Sequence, residues 1–316
     1  MSQPGVLPRL IAPVANYPTF VAGSALVVAA PAKLNLFLEI LGKRPDGYHD
    51  LESLIIVVDL FDTLEVGSGS PGTITLTCDP PIVSAGSDNL VMKAALLLRE
   101  RAGRPEMGAT LRLQKRIPLQ AGLGGGSSDA AVTLVALNEF WKLALTREQL
   151  AGMAAILGSD VAVFLTPPAG WCTGRGEVVT PESVGRVLHF VVVCPPVGLA
   201  TAAVYGQLVV PQTPIAGVAV REAVRAGDPE AVGRALFNRL EDPAFRLAPI
   251  VEQQRRRLGS LGPCGALMSG SGSAVFAVCR SREEAVRVAA EFRRTRPAGE
   301  PDSRVLVVRS FAPDPA

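Results

Sequence analysis

Histidine is almost absent from this chain, with only His49 and His189 among 316 residues. That scarcity excludes a histidine-built metal centre and any catalytic arrangement that needs a third imidazole. Cysteine is nearly as thin. The five residues, Cys78, Cys172, Cys194, Cys264 and Cys279, are odd in number, widely scattered and without a Cys-x-x-Cys pair. Neither a disulfide framework nor a zinc site follows, and flanking apolar or small residues read as buried, reduced thiols. Excess charge of one sign is also missing: 31 basic against 29 acidic residues leave a formal charge of +2. A general binder of nucleic acid or other polyanions would show a basic excess on one face. Two short basic clusters, Arg255-Arg256-Arg257 and Arg293-Arg294 with Arg296, read as solvated helix surface. Finally, there is no clean apolar run of membrane length. Residues 11–32 carry no charge, but Pro13, Pro18 and Pro31 interrupt them and Asn16, Thr19 and Gly23 dilute them. The same stretch lacks the compact apolar core and basic start of a signal peptide. The expectation is a soluble, cytoplasmic protein with no nucleic-acid and no membrane partner.

What is present is a globular composition, 48% hydrophobic and 19% charged, in a chain long enough for two ordinary domains. Residues 1–23 read as a flexible, proline-rich extension. Strand periodicity begins at Ala25, where Leu34, Leu36, Leu38 and Ile40 alternate with Lys33, Asn35, Phe37 and Glu39, which puts Lys33 and Asn35 on one face. Arg44-Pro45-Asp46-Gly47 is a turn signal, and extended runs follow at 54–60, 73–77 and 110–114. Helices are predicted over 88–101, 130–141 and 146–157, the last opened by a capping box of Thr146 and Gln149 and closed by Gly158. Beyond residue 186 a buried strand at 187–194 leads into alternating helix and strand: helices at 217–226, 229–240 and 283–294, strands at 274–279 and 304–308. Ser281 and Glu284 form another capping box. Two α/β lobes meeting near residue 180 are expected.

The strongest chemical signal is Pro118-Leu119-Gln120-Ala121-Gly122-Leu123-Gly124-Gly125-Gly126-Ser127-Ser128 before a long apolar helix. Glycines let the backbone turn sharply and approach a ligand. The unpaired N–H groups and dipole at a helix start attract anions, and two serines add hydroxyls. A Walker A loop needs Lys after its last Gly, which is missing here, and a Gly-x-Gly-x-x-Gly fingerprint finds Ser127 at its final position. The run therefore says phosphate and not which nucleotide. Lys33, on an otherwise apolar strand, either points to solvent or is buried with a partner. Asp160, in Gly158-Ser159-Asp160 beyond a helix end, is either an Asx cap or a functional carboxylate. Together the two would suffice to take a proton from a hydroxyl and steady transferred charge. Gly265-Ala266-Leu267-Met268-Ser269-Gly270-Ser271-Gly272-Ser273 is a turn or a second binding loop.

In this order, Pro-x-Lys at Pro31-Ala32-Lys33, the glycine run, and Ser269-Gly270-Ser271-Gly272 resemble the three motifs of the GHMP kinase superfamily. The resemblance covers residues 27–310. The blocks Pro31-Ala32-Lys33-Leu34-Asn35 and Lys43-Arg44-Pro45-Asp46-Gly47-Tyr48-His49 resemble, within it, the branch whose acceptor is a cytidine-diphosphate-linked methylerythritol. That branch phosphorylates the 2-hydroxyl in the non-mevalonate route to isoprenoid precursors. The implied fold is α+β and two-lobed, with an N-terminal ribosomal-protein-S5-domain-2-like lobe at 24–182, a C-terminal ferredoxin-like lobe at 183–316, and the active site in the cleft between. The resemblance implies Asp160 as catalytic base and Lys33 as its charge partner. It further implies Asn35 on the methylerythritol, Tyr48 and His49 on cytosine, and Tyr205 as a second aromatic there. Pro118, Gly122, Leu123, Gly124, Gly125, Gly126, Ser127 and Ser128 would hold the ATP phosphates, with Ser269, Gly270, Ser271 and Gly272 closing on the same cavity. ATP would enter as its Mg2+ complex, the metal ligands being left open, and the enzyme would be a monomer or weak homodimer. Gln120, Ser273-Ala274 and Ile55-Ile56-Val57-Val58 depart from the family pattern, at no proposed catalytic position. The alternatives are another kinase of the family, such as a homoserine kinase, and a non-catalytic nucleotide binder or dinucleotide oxidoreductase.

Overall fold

The computed structural model describes residues 9–10 and 18–311, so residues 1–8 and 11–17 of the expected extension and the last five residues lie outside the description. The chain forms two compact units that share its length unevenly: residues 1–32, 60–117 and 125–166 in the first, and 33–59, 118–124 and 167–316 in the second. Two long strands run from one unit into the other.

In the first unit, β1 (Arg9–Leu10) pairs with β2 (Thr19–Ala22), which pairs in turn with the start of β3 (Ala25–Lys43). Strand structure therefore begins before Ala25, where periodicity first shows. The far half of β4 (His49–Ser68) lies antiparallel to β6 (Ala109–Gln114), and β5 (Ile74–Asp79) runs parallel to β6. Three helices pack on one another: α1 (Leu90–Arg101), α2 (Gly125–Phe140) and α3 (Arg147–Leu157). The cap of α1 is Asn89, whose side chain accepts from the Val91 N–H at 2.9 Å, so the helix proper starts two residues after its predicted start at 88. The α3 capping box forms in both directions. Helix α2 starts five residues before its predicted start and buries every residue from Ser128 to Leu137. A helix apolar on all sides belongs in an interior. The apolar residues 162–165 form a short 3₁₀ turn.

In the second unit, β7 (Ala169–Thr173) pairs with the near half of β4 and with β8 (Val178–Glu182). A separate antiparallel sheet has the order β11 (Gly265–Met268), β12 (Val275–Cys279), β9 (His189–Cys194), β13 (Arg304–Arg309). The helices are α4 (Thr201–Gly206), α5 (Val218–Ala226), α6 (Pro229–Ala235), α7 (Glu241–Leu247), α8 (Pro249–Ser260) and α9 (Arg282–Arg294). Helices α6, α8 and α9 pack on this sheet, the last two around Val191, Val193, Val251, Leu258, Val288 and Phe292.

The predicted helix over 229–240 is cut short. It stops at Ala235, and β10 (Phe237–Asn238) pairs parallel with Phe37 and Leu38 of β3. Backbone pairing to a distant strand outweighed local helical spacing there. At α9, Ser281 caps as predicted, but the Glu284 carboxylate accepts from the Arg280 N–H instead of closing the box on Ser281. Of the basic clusters, Arg257 is not a solvated residue. Its guanidinium lies 3.5 Å from the Phe292 ring centre and bonds Glu300 at 2.8 Å.

Strand β3 alternates apolar and polar residues, yet both faces are buried from Pro31 to Ile40. Each polar side chain is accordingly satisfied. Glu39, fully buried, takes both guanidinium arms of Arg239 at 2.6–2.7 Å and two backbone N–H groups. Burial raises its carboxyl, and these partners more than reverse that, holding it below the ordinary value.

Candidate active site

The second unit gathers most of the sequence-predicted residues. Lys33 is 3% exposed, and its ammonium donates to the Asn35 Oδ1 on the same face of β3. The Asn35 Nδ2 donates to Ser53 Oγ at 2.8 Å, and the Ser53 hydroxyl in turn donates to the Phe37 carbonyl. This chain of bonds fixes the amide so that its oxygen faces the ammonium. A lysine this deeply buried is tolerated only with such partners.

The two glycine-containing loops meet at the same place. Leu123 O accepts from the Lys33 N–H at 3.0 Å, and Ala121 O accepts from Ala274 N. Ser269 Oγ donates to Gly122 O at 3.0 Å and accepts from the Asn35 N–H at 3.3 Å. Gly122 has φ of +72°, and a Cβ there would stand 2.0 Å from the Ser269 carbonyl oxygen. Only glycine permits that approach. Gly270 has φ of +55°, and a Cβ on it would lie 3.1 Å from the Lys33 ammonium. Ser271 bonds Thr201 at 3.0 Å. Gln120, a departure from the family pattern, takes φ of +50°, and its amide occupies the space left by the absent side chain of Gly198. Ser273, another departure, donates to the Val197 carbonyl.

The aromatic residues lie in this unit as well. His49 and Tyr205 have ring centres 5.4 Å apart, while Tyr48 is exposed with the Arg175 guanidinium 4.9 Å over its ring. Burial, and then the Lys43 charge, push the His49 imidazole below its ordinary 6.5. The hairpin turn expected at Arg44 to Gly47 forms, with Gly47 at φ of +85°.

The first unit holds the rest. Gly125, Gly126, Ser127 and Ser128 form the first turn of α2, and Ser128 Oγ is buried without a hydrogen-bond partner. Asp160 is half-buried in the turn after α3. A buried cluster lies at the α2 start. The Lys115 ammonium bonds Asp129 Oδ2 at 2.6 Å and Asp62 Oδ2, and Asp62 Oδ1 accepts from the Arg116 and Ile117 N–H groups. Desolvation pushes the Asp129 carboxyl up to about 7; Lys115 opposes this and Asp62 adds to it.

Sequence reasoning missed four contributors. Ser53 orients Asn35, and Asn238 holds the late loop by donating to Met268 O and Gly270 O, both at 2.8 Å. Arg175 and the Asp62–Lys115–Asp129 cluster complete the set. Asn238 carried no local signal, because the stretch around it reads as helix. Lys115 offered one: a lysine just past β6, at the position that continues the inward side of the strand's alternation.

The GHMP kinases N terminal domain profile matches residues 89–167, and the GHMP kinases C terminal profile residues 220–298. The 4-diphosphocytidyl-2-C-methyl-D-erythritol kinase of Pelotomaculum thermopropionicum is 40% identical over 91% of this chain and 99% of its own length. The kinase of the same name from Exiguobacterium sibiricum is 41% identical over 83% and 92%. Among solved structures, a 4-(cytidine 5'-diphospho)-2C-methyl-D-erythritol kinase superposes with a TM-score of 0.75 at 36% identity, covering 90% of this chain and 100% of that one. The homoserine kinase of Cytophaga hutchinsonii reaches 0.74 at 21% identity, over 92% and 96%, which is a likeness of fold alone.

Proposed function

The chain belongs to the GHMP kinase family, among the relatives of the 4-diphosphocytidyl-2-C-methyl-D-erythritol kinases, and from this we propose how its residues divide the work of that reaction. It is a phosphotransferase with an alcohol acceptor: the γ-phosphoryl group of ATP passes to the 2-hydroxyl of 4-diphosphocytidyl-2-C-methyl-D-erythritol. The observation that carries the residue roles is the bonded array of Lys33, Asn35, Ser53, Ser269 and Gly122 in the same unit as the His49–Tyr205 pair. One part suits charge transfer and the other a nucleobase, which a homoserine acceptor would not need.

Phosphoryl transfer is chiefly positioning and charge stabilisation. The acceptor oxygen forms a bond to the γ-phosphorus while the bond to the bridging oxygen breaks and ADP leaves. Asp160 orients the 2-hydroxyl and takes up its proton, and the Lys33 ammonium steadies the negative charge developing on that oxygen. Asn35 bonds the methylerythritol portion. Tyr48 and His49 hold cytosine by stacking and hydrogen bonding, with Tyr205 as the second aromatic. Amides of Gly122, Leu123, Gly124, Gly125 and Gly126 cradle the ATP phosphates, and Ser269, Gly270, Ser271 and Gly272 close over them.

Magnesium, when bound with ATP, neutralises phosphate charge. Ser127 and Ser128 would hold it, and the partnerless buried Ser128 Oγ fits an oxygen-seeking cation. No group of three His, Cys, Asp or Glu gathers among the described residues, so phosphate oxygens and water would supply most of its ligands. No helix of the described residues is long and apolar enough to cross a membrane. Lobes at 24–182 and 183–316, a cytoplasmic location and a monomer or weak homodimer complete the reading.

The test is ADP release by the purified protein with the cytidyl substrate, homoserine or mevalonate. Turnover with the first alone is expected, and turnover with only one of the others would overturn the assignment. Asp160→Asn should lower kcat by about 10²- to 10⁴-fold with ATP binding intact. Unchanged turnover removes Asp160 from its role.

A further inference from the structure

The cluster of Asp62, Lys115 and Asp129 takes no part in the chemistry above, yet it is among the most deeply buried charge in the first unit. The three side chains are 0%, 2% and 3% exposed. Buried ion pairs are poor sources of stability, since the desolvation of each charge offsets the attraction between them. Apolar residues would fill this space at lower cost. What these directional bonds do supply is a fixed geometry, and the elements they join are informative.

Asp62 stands on the far half of β4, Lys115 just beyond the end of β6, and Asp129 in the second turn of α2. Asp62 spans the end of β6 by accepting from two successive N–H groups, those of Arg116 and Ile117. Lys115 itself is tied back to β5 through its N–H, which donates to the Asp79 carbonyl at 2.7 Å. From this anchored platform the ammonium reaches the helix at Asp129 Oδ2. The first residue of the helix sits directly over the platform: a Cβ on Gly125 would lie 3.2 Å from the ammonium and 3.1 Å from Ile117 Cγ2. The other oxygen of Asp129 and the hydroxyl of Ser128 are buried without partners.

Electrostatic attraction of phosphate does not explain the arrangement. Two carboxylates surround one ammonium, so the cluster as a whole is not cationic, and its nearest charge to Gly125 is already neutralised. A positional role remains. We propose that Lys115 is a positioning residue for the phosphate loop, locking the first turn of α2 through Asp129 and Asp62 so that the amides of residues 125–128 are set before nucleotide arrives. The inference rests on the reading of residues 122–128 as the ATP-phosphate cradle. Preorganised donors lose no energy to reorganisation on binding, whereas a helix start free to shift would spend part of the binding energy on its own ordering.

The test uses the double variant Lys115→Met with Asp129→Asn, which keeps side-chain length, removes one charge of each sign and leaves Asp62 its two backbone donors. Thermal unfolding and circular dichroism establish that it is folded. Calorimetric titration with ATP and steady-state kinetics then give the ATP Kd, both KM values and kcat. The expected result is an ATP Kd and KM raised by about tenfold, in the range for loss of a group that orients a binding shell, with the acceptor KM unchanged. A folded variant that binds ATP like the wild type, or one in which every parameter moves together, overturns the inference. Should the double variant not fold, Asp129→Asn alone retains the Lys115–Asp62 pair and is judged by the same ATP Kd. Gly124→Val serves as the control for the cradle. If it leaves ATP binding intact, the phosphate-loop reading itself fails. If it abolishes binding while the cluster variants do not alter it, only the positioning role falls.

Discussion

His49 shows how a single residue's surroundings set its chemistry. Burial and the nearby Lys43 hold its imidazole below 6.5, so at neutral pH it is uncharged and offers one donor and one acceptor nitrogen. Protonation would convert the acceptor into a second donor. The acceptor KM should therefore rise as pH drops below the lowered value, while the ATP KM stays level, and His49→Asn should flatten that profile. An acceptor KM independent of pH in the wild type would separate His49 from cytosine. Stability moves in the same direction. Between the lowered value and 6.5 the unfolded chain binds a proton that the native state refuses, so stability is full above 6.5 and is lost as pH falls through that window. At this scale Lys33 stood out in the sequence as a lysine on an otherwise apolar strand, whereas Asn35, Tyr48 and His49 were reached through the resemblance of their motifs. Their partners were not. Ser53 and Asn238 are ordinary polar residues whose importance comes only from what stands opposite them.

Elements carry the next level of explanation, and the two glycine-containing loops are the clearest case. Gly122 needs glycine twice over, once for its positive φ and once because the Ser269 carbonyl fills the position of a Cβ. Gly122→Ala should cost about 1–3 kcal/mol from backbone strain, with the clash in addition. It should also weaken ATP binding by parting the loops. Gly152, in the middle of α3, is the contrast, since a Cβ on it would meet nothing within 4 Å. Gly152→Ala should raise stability by up to about 1 kcal/mol through helix propensity alone. Denaturant melts of the two variants check both signs. The local rules succeeded where the chain interacts with itself at short range: the Thr146 capping box, the Ser281 cap and the Gly47 turn all formed. They failed at Phe237–Asn238, where parallel pairing with β3 replaced the last helical turn. No window of neighbouring residues contains that information.

On the scale of the whole molecule, the chain passes between its two units five times, and β3 and β4 belong to both. Each of these strands carries pairing in both units along one continuous backbone. Calorimetric unfolding should accordingly give one cooperative transition with matching calorimetric and van't Hoff enthalpies. Two resolved transitions would show that the units melt separately. The glycine run with which the chemistry began is itself divided, since residues 118–124 belong to one unit and 125–128 to the other. By itself the sequence determined the glycine run at a helix start, the family and the candidate residue types, because glycine content, helix starts and motif order are local properties of a chain. Tertiary structure alone decided that Lys33 is buried against Asn35, that Ser269 meets Gly122, and that Asp62, Lys115 and Asp129 converge under the start of α2. Each of these depends on residues that only the packing of strands and helices brings within bonding distance.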